Sequence, residues 1–305
     1  MGGVGGPGEV AGVGGPGGVA GVGLWVLPGG GPANTAVALA RLGTPARFLG
    51  RISGDAFGGL FRAHLTSSGV DLSAAVEAPE PSTLAVAALD DRGRAAYTFY
   101  AGGTADWQWS RDELDPSRLG GASCLHTGSM ALVRAPGSAA VEEFARAAAG
   151  RATVSVDPNV RPTFAAREDY QVARWCEWAD ILKLSDDDLA FLLPGVSVER
   201  ACDTWHAAGA RLVVVTRGAA GALVSLDGER AEVPAPRVAV VDTVGAGDSF
   251  TAGLLHALEA KGLLGGRLDD LDLDGAVTAA TFATRVSALT CSVAGANPPW
   301  ADQLR

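Results

Sequence analysis

From residue 32 onward the sequence predicts an α/β fold: a mostly parallel sheet covered by helices on both faces, with a small extra hairpin. Three observations carry this. Short β-rich runs at 123–127, 153–157, 181–184, 212–216 and 222–226 alternate with helical runs at 138–149, 169–179, 186–193, 198–208, 247–261 and 275–289. Hydrophobic residues make up 48% of 305 residues, enough for a large buried core. Two apolar runs at 84–90 and 95–101, joined by DRGR, fall outside the alternation and read as a β-hairpin in an accessory sheet.

The elements can be justified in chain order. Residues 1–28 form an atypical Gly/Pro-rich segment. The first 31 residues hold 15 of the 42 glycines, and 4–12 (VGGPGEVAG) recurs as 13–21 (VGGPGGVAG). Two copies cannot build a solenoid, and so much glycine is a poor helix or strand former. Its GxGxxG matches contain Pro7 and Pro16 and precede no helix, so they are no dinucleotide fingerprint. The run 33–42 has helical spacing and stops at Gly43. A short strand is expected at 46–50 and an amphipathic helix at 56–68, closed by Gly69. Trp107 and Trp109 read as packing residues, and the four histidines as surface or core fillers.

Charge and composition exclude several classes. The net charge of −10 speaks against a nucleic-acid partner and against an anionic membrane surface. No 18-residue apolar run free of Gly and charge marks a transmembrane helix. The first basic residue is Arg41, so the charged start of a secretory signal is missing. Four scattered cysteines without CxxC read as reduced thiols, which points to the cytoplasm.

The strongest chemical signal is 242–250, DTVGAGDSF, placed after a β run at 238–241 and at the opening of a helix. Small residues there let backbone N–H groups converge on an anion at a helix N-terminus. A carboxylate beside such a site is repulsive unless it has a task, and for Asp248 that task is to accept a proton from an attacking hydroxyl. A plain helix N-cap is the competing reading.

With 29–34 (GGGPAN), TAVALARLG after it and GRISGDAFG at 50–58, DTVGAGDSF resembles the paired signatures of the ribokinase-like (PfkB-type) carbohydrate kinases. The resemblance covers about 29–300 and makes 29–305 a kinase domain. It implies a three-layer α/β/α sandwich whose hairpin is a β lid over the sugar. It also implies Asp248 as base, an anion hole of Gly245, Ala246 and Gly247, and Gly30 and Asn34 on the sugar.

Further segments match. The stretch 157–162 (DPNVRP) resembles fructokinases and 2-keto-3-deoxygluconate kinases and puts Arg161 on the sugar, at the carboxyl end of the sheet. The stretch 179–188 (ADILKLSDDD) resembles the family segment ending in N/S-x-x-E, which places Lys183 and Ser185 at the nucleotide and Asp188, through water, at Mg²⁺. An acidic helix start explains Asp188 equally well. The stretch 213–221 (VVVTRGAAG) resembles the nucleotide loop, with Thr216, Gly218 and Gly221 near ATP. A K⁺ site beside Asp242, Val244 and the carbonyls near Gly295 is also implied; lid-bearing members of the family are often homodimers, while the lid here has lost a strand.

One departure stands out. Family members open with a strand carrying Gly-Glu and then a sugar-binding Asp. Here Gly8-Glu9 is present, Val13 stands near the Asp position and no Asp precedes Asp55. Either a sugar anchor is lost or residues 1–27 are not the ancestral reading frame. The sequence thus implies an ATP-dependent sugar kinase for fructose. Its alternatives are 2-keto-3-deoxygluconate kinase and an impaired nucleotide-binding homologue.

Overall fold

The computed structural model describes residues 26–89 and 95–304, with side-chain surroundings omitted for 87–89 and 95–97. The nine-residue repeat, Gly8-Glu9, Val13 and the DRGR turn lie outside the described residues. The chain runs α1 (Gly31–Leu42), β1 (Arg51–Ser53), α2 (Ala56–Ser67), β2 (Val76–Ala78), β3 (Leu84–Leu89), β4 (Ala95–Tyr100), β5 (Cys124–Gly128) and α3 (Ser138–Ala148). It continues through β6 (Thr153–Asp157), α4 (Val172–Cys176), β7 (Ile181–Ser185), α5 (Asp186–Leu192), α6 (Val198–Ala208), β8 (Leu212–Thr216), β9 (Ala222–Leu226), β10 (Glu229–Val233), α7 (Ala246–Glu259) and α8 (Leu273–Cys291).

The central sheet has six strands in the order β10-β9-β8-β7-β6-β5. β5 to β8 are parallel, and β9 alone is reversed, pairing antiparallel with β8 on one side and with β10 on the other. Side chains alternate across a strand, and β8 shows the consequence. Val213 and Val215 join the core under α3 to α6, while Leu212 and Val214 join the core under α7 and α8. That two-sided burial is why β8 reads as an unbroken valine run, and it makes the three layers. β1 and β2 pair in a separate parallel ribbon, and β3 and β4 form the expected hairpin.

The hairpin is anchored at its base. Buried Arg51 donates to Glu80 before β3 at 2.7 Å, to Glu113 beyond β4, and to the Ala105 carbonyl. Asp55 caps α2 by accepting from Gly58 N at 2.8 Å, and its carboxylate also accepts from the Ser82 amide and hydroxyl. These donors, the Ser82 amide first, hold the Asp55 carboxyl down to about 2. Its stabilising contribution is therefore present above the ordinary carboxylate pKa and is lost as pH falls from about 4 to about 2. Asp55→Ala should cost about 1–2 kcal/mol. In thermal melts the difference between variant and wild type should shrink in the same acid window, and a constant difference would contradict the capping account.

Several expectations need correction. The strand expected at 46–50 lies at β1, and 46–50 contributes a single bridge between Arg47 and Asp71. The helix expected at 169–179 is a 3-10 turn at Arg167–Asp169 followed by the short α4. Tyr170 and Gln171 leave helical geometry because the Tyr170 ring is turned into the core. The β run expected at 238–241 is irregular: the Val241 and Asp242 amides converge on the Cys291 carbonyl, and Val240 is 63% exposed. β10 was not foreseen, because an edge strand reading ERAEV offers no apolar run.

Candidate active site

Parallel strands put their carboxyl ends on one side of the sheet. There Asp157 ends β6, Ser185 ends β7 and Thr216 ends β8, the last two in register with each other. α7 begins beside them. Its N-cap, Gly245, sits at φ +78 with no capping side chain. The first N–H groups of any helix lack partners within it, so this turn presents free donors and the positive end of a dipole. The Ala246 amide is the exception in the expected anion hole, since it bonds the Thr243 carbonyl at 3.2 Å.

Asp248 lies in the first turn of α7, facing α1. Its Oδ2 accepts from Asn34 Nδ2 at 2.8 Å, across 214 positions of sequence. Thr35 Oγ1 adds a long contact to the Asp248 carbonyl. At Gly31, the point where a Cβ would stand lies 2.9 Å from Asn159 Nδ2 and 3.3 Å from Asp248 Oδ1. Thus α1, α7 and the loop after β6 meet at one carboxylate. Asp248 keeps some accessible surface, yet burial pushes its carboxyl up to about 6, against the lowering effect of the Asn34 bond. That places it within reach of a proton-transfer role near neutral pH.

The other expected residues divide. Gly30 is the exposed N-cap of α1 at the same corner. Arg161 is nearby, its amide donating to the Tyr170 hydroxyl and its Nη1 to the carbonyls of Asn159 and Val160. Ser185 and Asp188 form a reciprocal cap on α5, and Asp188 Oδ1 accepts from the Val160 amide at 2.8 Å. Asp188 is therefore tied to the fold through both oxygens, as its helix-start reading has it. Thr216 Oγ1 donates to the Leu184 carbonyl, and Gly218 and Gly221 form the following turn with positive φ. Asp242 accepts from the amides of Val244 and Gly295, which lower its carboxyl and join the 242–247 loop to the 292–297 loop.

Lys183, expected at the nucleotide, is buried beneath the first turn of α7. Its side chain is 4% exposed and pairs with Asp157 at 2.8 Å, inside the sheet–α7 layer. The packing of Asn159 against Gly31 was also unforeseen. Among the described residues no group of three His, Cys, Asp or Glu is arranged to hold a metal. No helix there is long and apolar enough to cross a membrane. The histidines behave as fillers: His206 bridges the Ala210 carbonyl and the Ser225 hydroxyl, and His256 meets Thr44.

A layered α/β fold that sets an uncapped helix N-terminus beside a carboxylate can hold an anion next to a proton acceptor, the two parts that phosphoryl transfer to a hydroxyl uses. The pattern described as pfkB family carbohydrate kinase matches residues 16–303, so the chain belongs to that family. A fructokinase of Rhizobium leguminosarum bv. trifolii is 38% identical over 239 residues, covering 77% of this chain and 73% of that one. The fructokinase of Xylella fastidiosa, solved with bound ATP, superposes with a TM-score of 0.82 at 29% identity, covering 90% of this chain and 88% of that one. The fructokinase of Vibrio cholerae, solved with fructose, ADP and calcium, superposes with a TM-score of 0.73 at 29% identity, covering 88% and 86%.

Proposed function

We propose that this carbohydrate kinase transfers the γ-phosphoryl group of ATP to a hydroxyl of fructose, with Asp248 as the general base. The observation that carries the reading is the Asp248 carboxylate, oriented by Asn34 beside the uncapped start of α7. The sugar hydroxyl donates its proton to Asp248 as its oxygen attacks phosphorus. Asn34 holds the carboxylate and leaves Oδ1 for the incoming proton. The amides of Gly245 and Gly247 receive the charge that spreads over the phosphoryl oxygens. Thr216, Gly218 and Gly221, at the end of β8, line the nucleotide side. A divalent ion, Mg²⁺ in this reading, offsets phosphate charge when bound. In the family reading, Asp188 would meet it through water, and K⁺ would sit beside Asp242, Val244 and Gly295, where Asp242 joins the two loops.

Names and contents of the relatives support fructose: the Vibrio cholerae enzyme was solved with it. The sugar-acid reading would use Arg161 against a carboxylate, but its Nη1 is engaged by two backbone carbonyls. Arg161→Ala should therefore change the KM for fructose less than about threefold. A charge-assisted contact would cost more, roughly 1.5–3 kcal/mol, or tenfold and above. The test is ADP release across a sugar panel. Fructose should lead, with 2-keto-3-deoxygluconate at least tenfold poorer in kcat/KM. A sugar acid as best substrate, weakened tenfold or more by Arg161→Ala, would reverse the assignment.

The raised Asp248 carboxyl also sets a pH profile. The base works ionised, so turnover is full above its pKa and declines as pH falls through about 6. The Asn34 bond favours the ionised form, so Asn34→Ala should move that acid limb to higher pH. Unchanged limbs in kcat profiles would separate Asn34 from the base.

A further inference from the structure

The sequence writes its cations almost entirely as arginine: of 24, two are lysine, Lys183 and Lys261. Lys183 is buried. It stands one step past the paired Val156 and Leu182 on β6 and β7, so it and Asp157 project from the same face, the face covered by α7. Nζ meets Asp157 Oδ2 at 2.8 Å, with the two side chains 4% and 7% exposed.

The pair touches both halves of the site from beneath. The point where a Cβ of Gly247 would stand is 2.9 Å from Lys183 Nζ, so the ammonium lies directly under the turn that offers N–H groups to phosphate. The other carboxylate oxygen, Asp157 Oδ1, accepts from the Asn159 amide at 3.0 Å. Asn159 is held at φ +39 and packs on Gly31 beside Asp248. The positive end of the pair thus supports the anion-binding turn, and the negative end fixes the loop that closes on the base.

Such a pair is a weak source of stability. Removing two charges from water offsets most of their attraction, and apolar pairs of similar volume often serve the fold as well. Its placement matters more than its strength. A fixed charge in a low-dielectric layer acts on a developing anion with no reorganisation at the moment of reaction. A compact ammonium fits under Gly247, where a guanidinium fork would not.

We propose that Lys183 is a positioning residue for phosphoryl transfer: locked by Asp157, its ammonium supports the Gly247 turn from inside and favours the transferring group without touching the nucleotide. This rests on the kinase reading above. The same pair faces His126, whose Nδ1 lies 3.1 Å from Ser155 Oγ and whose imidazole burial lowers to about 4. His126 is therefore neutral at working pH and adds no competing charge.

The test uses the full chain carrying Lys183→Met and, because that leaves Asp157 buried and unpaired, also the neutral pair Asp157→Asn with Lys183→Gln. Circular dichroism and melting confirm folding. Kinetics with ATP and fructose then separate the roles. We expect kcat to fall at least tenfold in the neutral pair, with the KM for ATP and calorimetric ADP affinity within about threefold of wild type. A tenfold rise in the KM for ATP at unchanged kcat would mean that Lys183 contacts the nucleotide, and unchanged kcat and KM would reduce it to a filler; either overturns the proposal. Wild-type chain inactive on every sugar would instead overturn the kinase reading, which keeps the two failures apart.

Discussion

Asp248→Asn should leave the fold and ATP affinity nearly unchanged while turnover falls roughly 10²–10⁴-fold. The substitution keeps the size of the side chain and an acceptor for Asn34 Nδ2, which reaches Asp248 Oδ2 at 2.8 Å in the wild type. It removes the atom that takes the proton. No other described carboxylate touches that corner in the same way. Asp157 is paired with Lys183, and Asp188 is bonded to the Val160 amide and the Ser185 hydroxyl. The loss should therefore fall on kcat, with the KM for ATP little altered, and the acid limb near pH 6 should vanish from the residual activity. Steady-state kinetics from pH 5 to 9 check both. A variant retaining a third of wild-type turnover would remove Asp248 from the proton-transfer role.

A large stability effect should come from Gly128→Ala. Gly128 ends β5 opposite Asp157 in the parallel register, at φ +149. A Cβ there would stand 2.0 Å from the Asp157 carbonyl oxygen, an overlap with backbone that no rotamer relieves. Backbone strain of about 1–3 kcal/mol and overpacking of about 1–3 kcal/mol act together. We expect about 3 kcal/mol or more of destabilisation, a fall of roughly 5–10 °C in melting temperature. Because β6 would have to move, Asp157 and the loop through Arg161 would move with it, so surviving protein should also lose turnover. A variant melting within 2 °C of wild type would show that β5 and β6 separate freely at this end.

Much of this was legible in the residues because the informative segments are local. GAGD placed an anion turn and a carboxylate together within four residues, and the structure keeps them in the first turn of α7. The unbroken valines of 212–216 foretold a strand buried on both faces. What stayed hidden depends on register or on side-chain direction. Asn34 and Asp248 are 214 positions apart, and their bond exists only once α1 packs along α7. The burial of Lys183 cannot be read from its neighbours in sequence. Only the pairing of β6 with β7 turns it inward to Asp157. The apolar β-branched residues of 238–241 suggest a strand, yet the amides of 241 and 242 are drawn to the end of α8.

The central claim is that Asp248, held by Asn34 at the start of α7, activates a fructose hydroxyl toward ATP. Phosphorus NMR of wild type with ATP, Mg²⁺ and fructose tests it most directly. The account predicts a new sugar phosphomonoester resonance that grows in step with ADP, depends on fructose and is lost in Asp248→Asn. ATP consumed to inorganic phosphate without a sugar ester, or an ester that forms equally fast in Asp248→Asn, would contradict it.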